Sequence, residues 1–319
     1  MPVFSSGIRH VFKRLQRNMT SESLPSHYTL PSGDKIPFVA LGVWQVKGAK
    51  VGVAVETALK AGYRHIDGGW IYRNEAQVGK ALKASGVSRK DVWLTSKLWN
   101  AFHAPQDVEA ALDDSLAKLG TDYLDMYLMH WPIARKNGEP YDKELTENPY
   151  PTWQKLEEMV ARGKVRNIGV SNFSVRRLEN LIGNPLKIRP VVIQVEINYW
   201  FPQPDLIEWA KEHNILVQAY SPLGGTSRVE DTLNVPEIKE IAEQLGMTPA
   251  QVVLSWHVQR GTVVLPRSVT PSRIIDNLQV SALPPVLFEK LEMAATSHKL
   301  PYQRFNPSKN WGIDFDIFD

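Results

Sequence analysis

From residue 39 onward, short apolar runs alternate with longer segments whose apolar positions recur at helical spacing, the pattern of buried strands separated by amphipathic helices. Strands are predicted over 39–41, 64–67, 92–97, 125–130, 165–170, 191–196, 216–220 and 262–265. Helices are predicted over 51–60, 75–84, 105–119, 151–162, 175–181, 206–213, 249–258 and 272–278. Eight strands, each followed by a helix, predict an α/β fold, a closed (β/α)8 TIM barrel with its helices outside. An open doubly wound sheet is the alternative, but it would normally carry a G-x-G-x-x-G turn after an early strand, and none stands there. Ahead of the barrel, 27–37 alternates around Ser32-Gly33-Asp34 and predicts a β-hairpin serving as plug or lid. Long polar or Pro-rich stretches at 131–149, 221–235 and 300–319 are expected to supply βα loops and a C-terminal tail over the barrel mouth.

The first 21 residues carry Arg9, Lys13, Arg14 and Arg17 without an acid, and Ile8, Val11, Phe12 and Leu15 share one helical face. The preferred reading is a solvated extension or a start upstream of Met19, with a mitochondrial presequence as the alternative. The expected organisation is an N-terminal extension over 1–26 and a single barrel domain over 27–319.

Composition narrows the function classes. No apolar stretch of the 319 residues is long enough to span a bilayer, so no membrane role is expected. A net charge of +3, dispersed along the chain, gives no reason to expect a nucleic-acid partner. The absence of cysteine removes disulfides, thiolate nucleophiles and Cys-ligated metals, and fits a reducing cytoplasm.

Polar residues end several of the apolar strands: Asp67, Lys97, His130, Ser171 with Asn172, Gln194 and Tyr220. On a barrel such positions converge on one mouth. Each alone is more often a cap or a solvated side chain. Together, an acid, a lysine, a histidine and the nearby Tyr72 can protonate a carbonyl oxygen. A lysine beside the phenol is expected to pull its pKa down from about 10, and a carboxylate holds the lysine charged. A metal-dependent hydrolase would need more His and carboxylate ligands there than His130 and Asp67, so no metal is expected.

The segments Leu41-Gly42-Val43-Trp44-Gln45, Arg64-His65-Ile66-Asp67-Gly68-Gly69-Trp70-Ile71-Tyr72-Arg73-Asn74-Glu75, Thr95-Ser96-Lys97-Leu98-Trp99, Met129-His130-Trp131-Pro132, Ile168-Gly169-Val170-Ser171-Asn172-Phe173, Ala219-Tyr220-Ser221-Pro222-Leu223-Gly224 and Leu265-Pro266-Arg267-Ser268 are similar to those of the aldo-keto reductases. The resemblance runs from about Tyr28 to the C-terminus. Within the family the chain is most similar to fungal NADP-dependent glycerol dehydrogenase, aldehyde reductase and xylose-reductase-type members.

The resemblance implies NADPH-dependent reduction of aldehydes and ketones, reversible toward alcohols or polyols such as glycerol, with Asp67, Tyr72, Lys97 and His130 as the catalytic group and Tyr72 as general acid. It implies that Ser171, Asn172 and Gln194 hold the nicotinamide carboxamide and that Tyr220 stacks on the ring. Ser221 and Leu223 would follow the pyrophosphate, and Arg267, Ser268, Thr270, Arg273 and Asn277 the adenosine end. Two arginines there favour NADPH over NADH. Trp44, Ile71, His130, Trp131 and Asn306 would line the substrate side, with Trp99 and Trp70 as candidate neighbours, Trp70 fitting core packing equally well. Ile71 removes the acid that xylose reductases commonly carry before the tyrosine. The expected partner is a small carbonyl compound, and the assembly a monomer or homodimer. The other reading by resemblance is an NADPH-binding regulatory or structural barrel without turnover.

Overall fold

The structure, a computed structural model, describes residues 24–136, 138–225, 227–298, 302 and 304–318. The basic amphipathic stretch of the first 21 residues lies outside the described residues.

Eight strands run parallel in chain order: β3 (Leu41–Gly42), β4 (His65–Asp67), β5 (Trp93–Leu98), β6 (Leu124–Met129), β7 (Val165–Ser171), β8 (Val192–Glu196), β9 (Leu216–Tyr220) and β10 (Val263–Leu265). The two ends of this sheet meet. Val39 pairs with Val264, the Ala40 N–H donates to the Val264 carbonyl at 2.9 Å, and the Gly42 N–H donates to that of Pro266 at 3.1 Å. The sheet is therefore closed into the expected barrel. Along β6 the pleat sorts side chains: Met126 and Leu128 join Val192, Val263 and Leu265 in one buried cluster, while Tyr127 and Met129 join a larger one packed under the helices.

The hairpin of β1 (His27–Thr29) and β2 (Lys35–Pro37) is a plug and not a lid. Ile36 is fully buried in the cluster with Met126 and Leu128. Asn167, near the start of β7, donates to Asp34 at 2.7 Å, and the His65 ring, at the start of β4, lies 3.1 Å from the Pro37 carbonyl. Both contacts close the N-terminal end of the barrel and leave the C-terminal mouth open.

The outer helices are α1 (Ala49–Ala61), α2 (Glu75–Ser85), α3 (Val108–Leu119), α4 (Lys143–Glu147), α5 (Tyr150–Ala161), α6 (Val175–Ile182), α7 (Pro204–Glu212), α8 (Val229–Leu233), α9 (Pro236–Leu245), α10 (Pro249–Gln259), α11 (Pro271–Leu278) and α12 (Pro285–Ser297). In α1, Val51, Ala54, Val55, Ala58 and Leu59 make one buried stripe, and Gly62 ends the helix at φ 107°. A capping box between Thr248 and Gln251, with Pro249 at the first turn, starts α10.

Four elements depart from the pattern read in the sequence. α4 lies inside 131–149 and α8 inside 221–235, both expected to be irregular, while α9 and α12 interrupt the regular strand–helix alternation. Among the described residues no helix is long and apolar enough to cross a membrane.

Candidate active site

The strand C-termini open into a cavity of about 1090 Å³. Asp67 ends β4, and Lys97 stands one residue before the end of the adjacent β5, so the fold brings their side chains together inside the barrel. The Lys97 ammonium, fully buried, donates to Asp67 Oδ2 at 2.8 Å and to the Gly68 carbonyl at 2.7 Å. Burial pulls the Lys97 pKa down, and the Asp67 carboxylate opposes that shift.

Tyr72 closes a 3₁₀ turn, Trp70–Tyr72, between β4 and α2. Asn74 pins that loop by donating its amide to the carbonyls of Val43 and Val46 at 2.8 and 3.1 Å. Lys97 Nζ sits 5.1 Å from the centre of the Tyr72 ring, and the His130 ring packs edge-on at 5.6 Å. Contrary to the lowering expected from a neighbouring lysine, the Tyr72 pKa is raised well above 10. Burial is the larger cause and the Asp67 charge the second, while the lysine's charge is shared with that carboxylate. His130 is pushed well below the usual imidazole range by burial, then by the Lys97 charge, and stands neutral.

Beside this group, Ser171 and Asn172 end β7 and Gln194 lies on β8. The Asn172 amide, at φ 63°, donates to the His130 carbonyl at 2.8 Å and to Ser171 Oγ at 3.1 Å, and its oxygen accepts the Tyr220 hydroxyl at 2.9 Å. The Asn172 amide hydrogens are thereby held by its neighbours, while its oxygen, with one bond accepted, keeps a second lone pair at the cavity wall. Both amide hydrogens of Gln194 are also engaged, with Asp67 Oδ1 at 2.7 Å and Gln218 Oε1 at 2.8 Å. What faces the cavity is complementary: Ser171 Oγ already accepts and keeps its hydrogen to donate, while Gln194 Oε1 is left to accept. One donor beside one acceptor is what a primary carboxamide requires.

The cavity extends from there past Tyr220, Ser221 and Leu223 to Arg267, Ser268, Arg273 and Asn277. Ser221 turns at φ 51° and Gly224 at φ 96°; a Cβ on Gly224 would stand 2.7 Å from Thr232 Oγ1 and 3.0 Å from the Arg228 carbonyl. The far end lies where α10 and α11 begin, with Thr248, Pro249 and Asp276 in its wall, residues the sequence pattern did not single out. Thr270, expected there, is not in the wall, and its N–H donates to Ser268 Oγ at 3.1 Å. Arg267 reaches back over the barrel seam to the Trp44 carbonyl and to Gln45 Oε1 at 3.4 and 3.3 Å.

On the other side of Tyr72 the wall is aromatic: Trp44, Trp99, Trp131, Phe305 and Trp311, with Ile71, Pro307 and Asn310. One expectation fails here and one open alternative is decided. Asn306 is exposed and accepts from the Ser308 N–H and hydroxyl at 3.0 and 2.7 Å in a local turn, so Asn310 and not Asn306 faces the cavity. Trp70 points away, its indole N–H on Asp114 at 2.6 Å and its ring edge-on to Phe102. The tail that carries Phe305 and Trp311 is anchored by Glu196, which accepts the Phe305 N–H at 2.9 Å and the Tyr302 hydroxyl, and by Arg177, which donates to the Ile317 carbonyl at 3.2 Å. Among the described residues no group of three or more His, Asp or Glu could hold a metal ion.

Comparison with known proteins agrees with this fold. The aldo/keto reductase family model matches residues 39–294, and the chain belongs to that family of oxidoreductases. It is 44% identical over 282 residues to the glycerol 2-dehydrogenase (NADP(+)) of Saccharomyces cerevisiae, covering 82% of this chain and 88% of that one. Aldo-keto reductase family 1 member A1 of Rattus norvegicus is 40% identical, over 82% and 85% of the two chains. The aldose reductase of Schistosoma japonicum superposes with a TM-score of 0.82 at 36% identity, covering 91% of this chain and 97% of that one.

Proposed function

We propose that the chain, as one barrel domain over 27–319, catalyses NADP(H)-dependent reduction of a small aldehyde or ketone, reversible toward the alcohol. The observation that carries this reading is the buried Lys97–Asp67 pair beneath Tyr72 and neutral His130, beside groups matched to a carboxamide. The names of relatives that act on glycerol with NADP(+) or belong to the aldo-keto reductases agree with it.

NADPH, when bound, supplies the hydride that goes to the carbonyl carbon. The chain's residues do the rest. Ser171 would donate to the carboxamide, Gln194 Oε1 would accept from it, and Tyr220, fixed through its hydroxyl by Asn172, would offer a ring face to the nicotinamide. His130, neutral, orients the carbonyl oxygen toward Tyr72. Burial and the Asp67 charge keep the Tyr72 proton on its oxygen until the carbonyl takes it, and the Lys97 ammonium 5.1 Å from the ring then stabilises the phenolate. Aromatic walls exclude water from the transfer.

Arg267 and Arg273 line the far end of the cavity, and their guanidinium groups suit a 2′-phosphate, which supports NADPH over NADH. With no cysteine to protect, the enzyme fits the cytoplasm. Steady-state kinetics over aldehydes and polyols, with both nucleotides, test the reading. Turnover of DL-glyceraldehyde or a nitrobenzaldehyde with NADPH is expected; NADPH binding without turnover on any carbonyl would instead indicate a regulatory barrel.

A further inference from the structure

Gln218, on β9, is fully buried between Val217 and Ala219 in the chain. The partners of Gln194 fix how it must point. Asp67, paired with the Lys97 ammonium, can only accept, so the Gln194 group facing it is the amide NH2. The second hydrogen of that NH2 meets Gln218, whose facing atom must therefore be its oxygen, at 2.8 Å. The cost appears at the other end of Gln218: its Nε2 is buried without a hydrogen-bond partner among the described residues. A core position that only had to be filled would avoid such an orphaned donor. The accepting oxygen is what the amide supplies there.

We propose that Gln218 is a positioning residue for the cofactor: its Oε1 holds the second amide hydrogen of Gln194 and so locks Gln194 with its own oxygen toward the cavity, set to accept from the nicotinamide carboxamide. This rests on the reading that Gln194 meets that carboxamide. Without an acceptor at position 218, the Gln194 amide turns its free hydrogen to the cavity, and donor then faces donor. The same amide grips Asp67, so one side chain aligns the nucleotide and steadies the acid that pairs with Lys97.

The test compares binding of NADPH with that of its reduced 3-acetylpyridine analogue, in which a methyl ketone replaces the amide, by quenching of tryptophan fluorescence. Wild type is expected to bind the analogue about fivefold more weakly, the worth of one neutral hydrogen bond. Gln194→Met should abolish that discrimination. Gln218→Met, close in length and volume, should bring the ratio within about twofold of one, whereas Gln218→Glu, which keeps an accepting oxygen, should retain most of it. Gln218→Leu is a second acceptor-free variant should the methionine chain fail to fold. Loss of discrimination in Gln194→Met with a wild-type ratio in Gln218→Met or Gln218→Leu overturns the role of Gln218 alone, as does loss in Gln218→Glu equal to that in the acceptor-free variants. A wild-type ratio in Gln194→Met overturns the carboxamide contact itself, and the role of Gln218 with it.

Discussion

Replacing Asp67 with asparagine probes the ion pair on which the site is built. The carboxylate accepts from Lys97 at 2.8 Å and from Gln194 at 2.7 Å, with Lys97 fully buried. Asparagine has one accepting oxygen, so its NH2 must face either the ammonium or the Gln194 amide, and the buried lysine loses its counter-charge. Removing one partner of a buried pair costs about 3–5 kcal/mol. At about 2.1 cal/mol/K of unfolding entropy per residue, the 319-residue chain loses roughly 0.67 kcal/mol per degree, so Tm should fall by about 4–8 °C.

The pH dependence has a definite sign. Burial already lowers the Lys97 pKa, and Asp67 is the main influence raising it, so in Asp67→Asn it falls further. Between the folded and unfolded pKa values the unfolded chain binds the extra proton, and stability of the variant rises with pH. The deficit relative to wild type should be largest in mildly acidic buffer and narrow as pH rises. Differential scanning calorimetry of both proteins from pH 6 to 10 reads both effects. A Tm change below about 1 °C that does not vary with pH would refute the reasoning.

Buried neutral histidines set the acid limit. Burial lowers the pKa values of His65 and His103 to about 4 and of His257 to about 3, against about 6.5 unfolded. Their stabilisation is complete above pH 6.5 and is lost as pH falls toward those values, so Tm should drop steeply from pH 6.5 to 4 and less steeply in His65→Gln; equal slopes would count against this account. Gly224→Ala, strained by φ 96° and by Thr232 Oγ1 at 2.7 Å, should weaken NADPH binding at least about fivefold, read by fluorescence titration, and lower Tm by about 1–3 °C. Ile71→Asp, which places a carboxylate in the aromatic wall, should move kcat/KM toward polyhydroxy aldehydes and away from nitrobenzaldehyde, a ratio that unchanged values on both substrates would contradict.

The barrel was legible because its strands are buried on both faces: all six residues of β5 and of β6 are buried, and such runs stand out between amphipathic helices. Residues at strand ends were legible for the same reason, since Asp67, Lys97, Ser171 and Gln194 interrupt apolar runs. α9 was not, although Ile238, Ile241 and Ala242 form its buried stripe, because alternation with strands leads one to expect a single helix there. The tail was harder still: its residues pack by local turns, so nothing periodic tells that Asn306 bonds back to Ser308 while Asn310 lines the cavity. Sequence alone was also silent on Gln218 and Asn74, whose roles depend on partners far along the chain, and on the balance at Tyr72, where burial outweighs the lysine.

The central claim is that Tyr72 gives the proton. Its replacement by phenylalanine removes one oxygen at a position where the ring remains packed against His130 at 5.6 Å. In Tyr72→Phe, NADPH affinity measured by fluorescence should stay within about twofold of wild type while kcat on DL-glyceraldehyde falls by at least about 100-fold, the scale of general acid catalysis. A variant that binds NADPH normally and keeps more than about a tenth of wild-type kcat would contradict it.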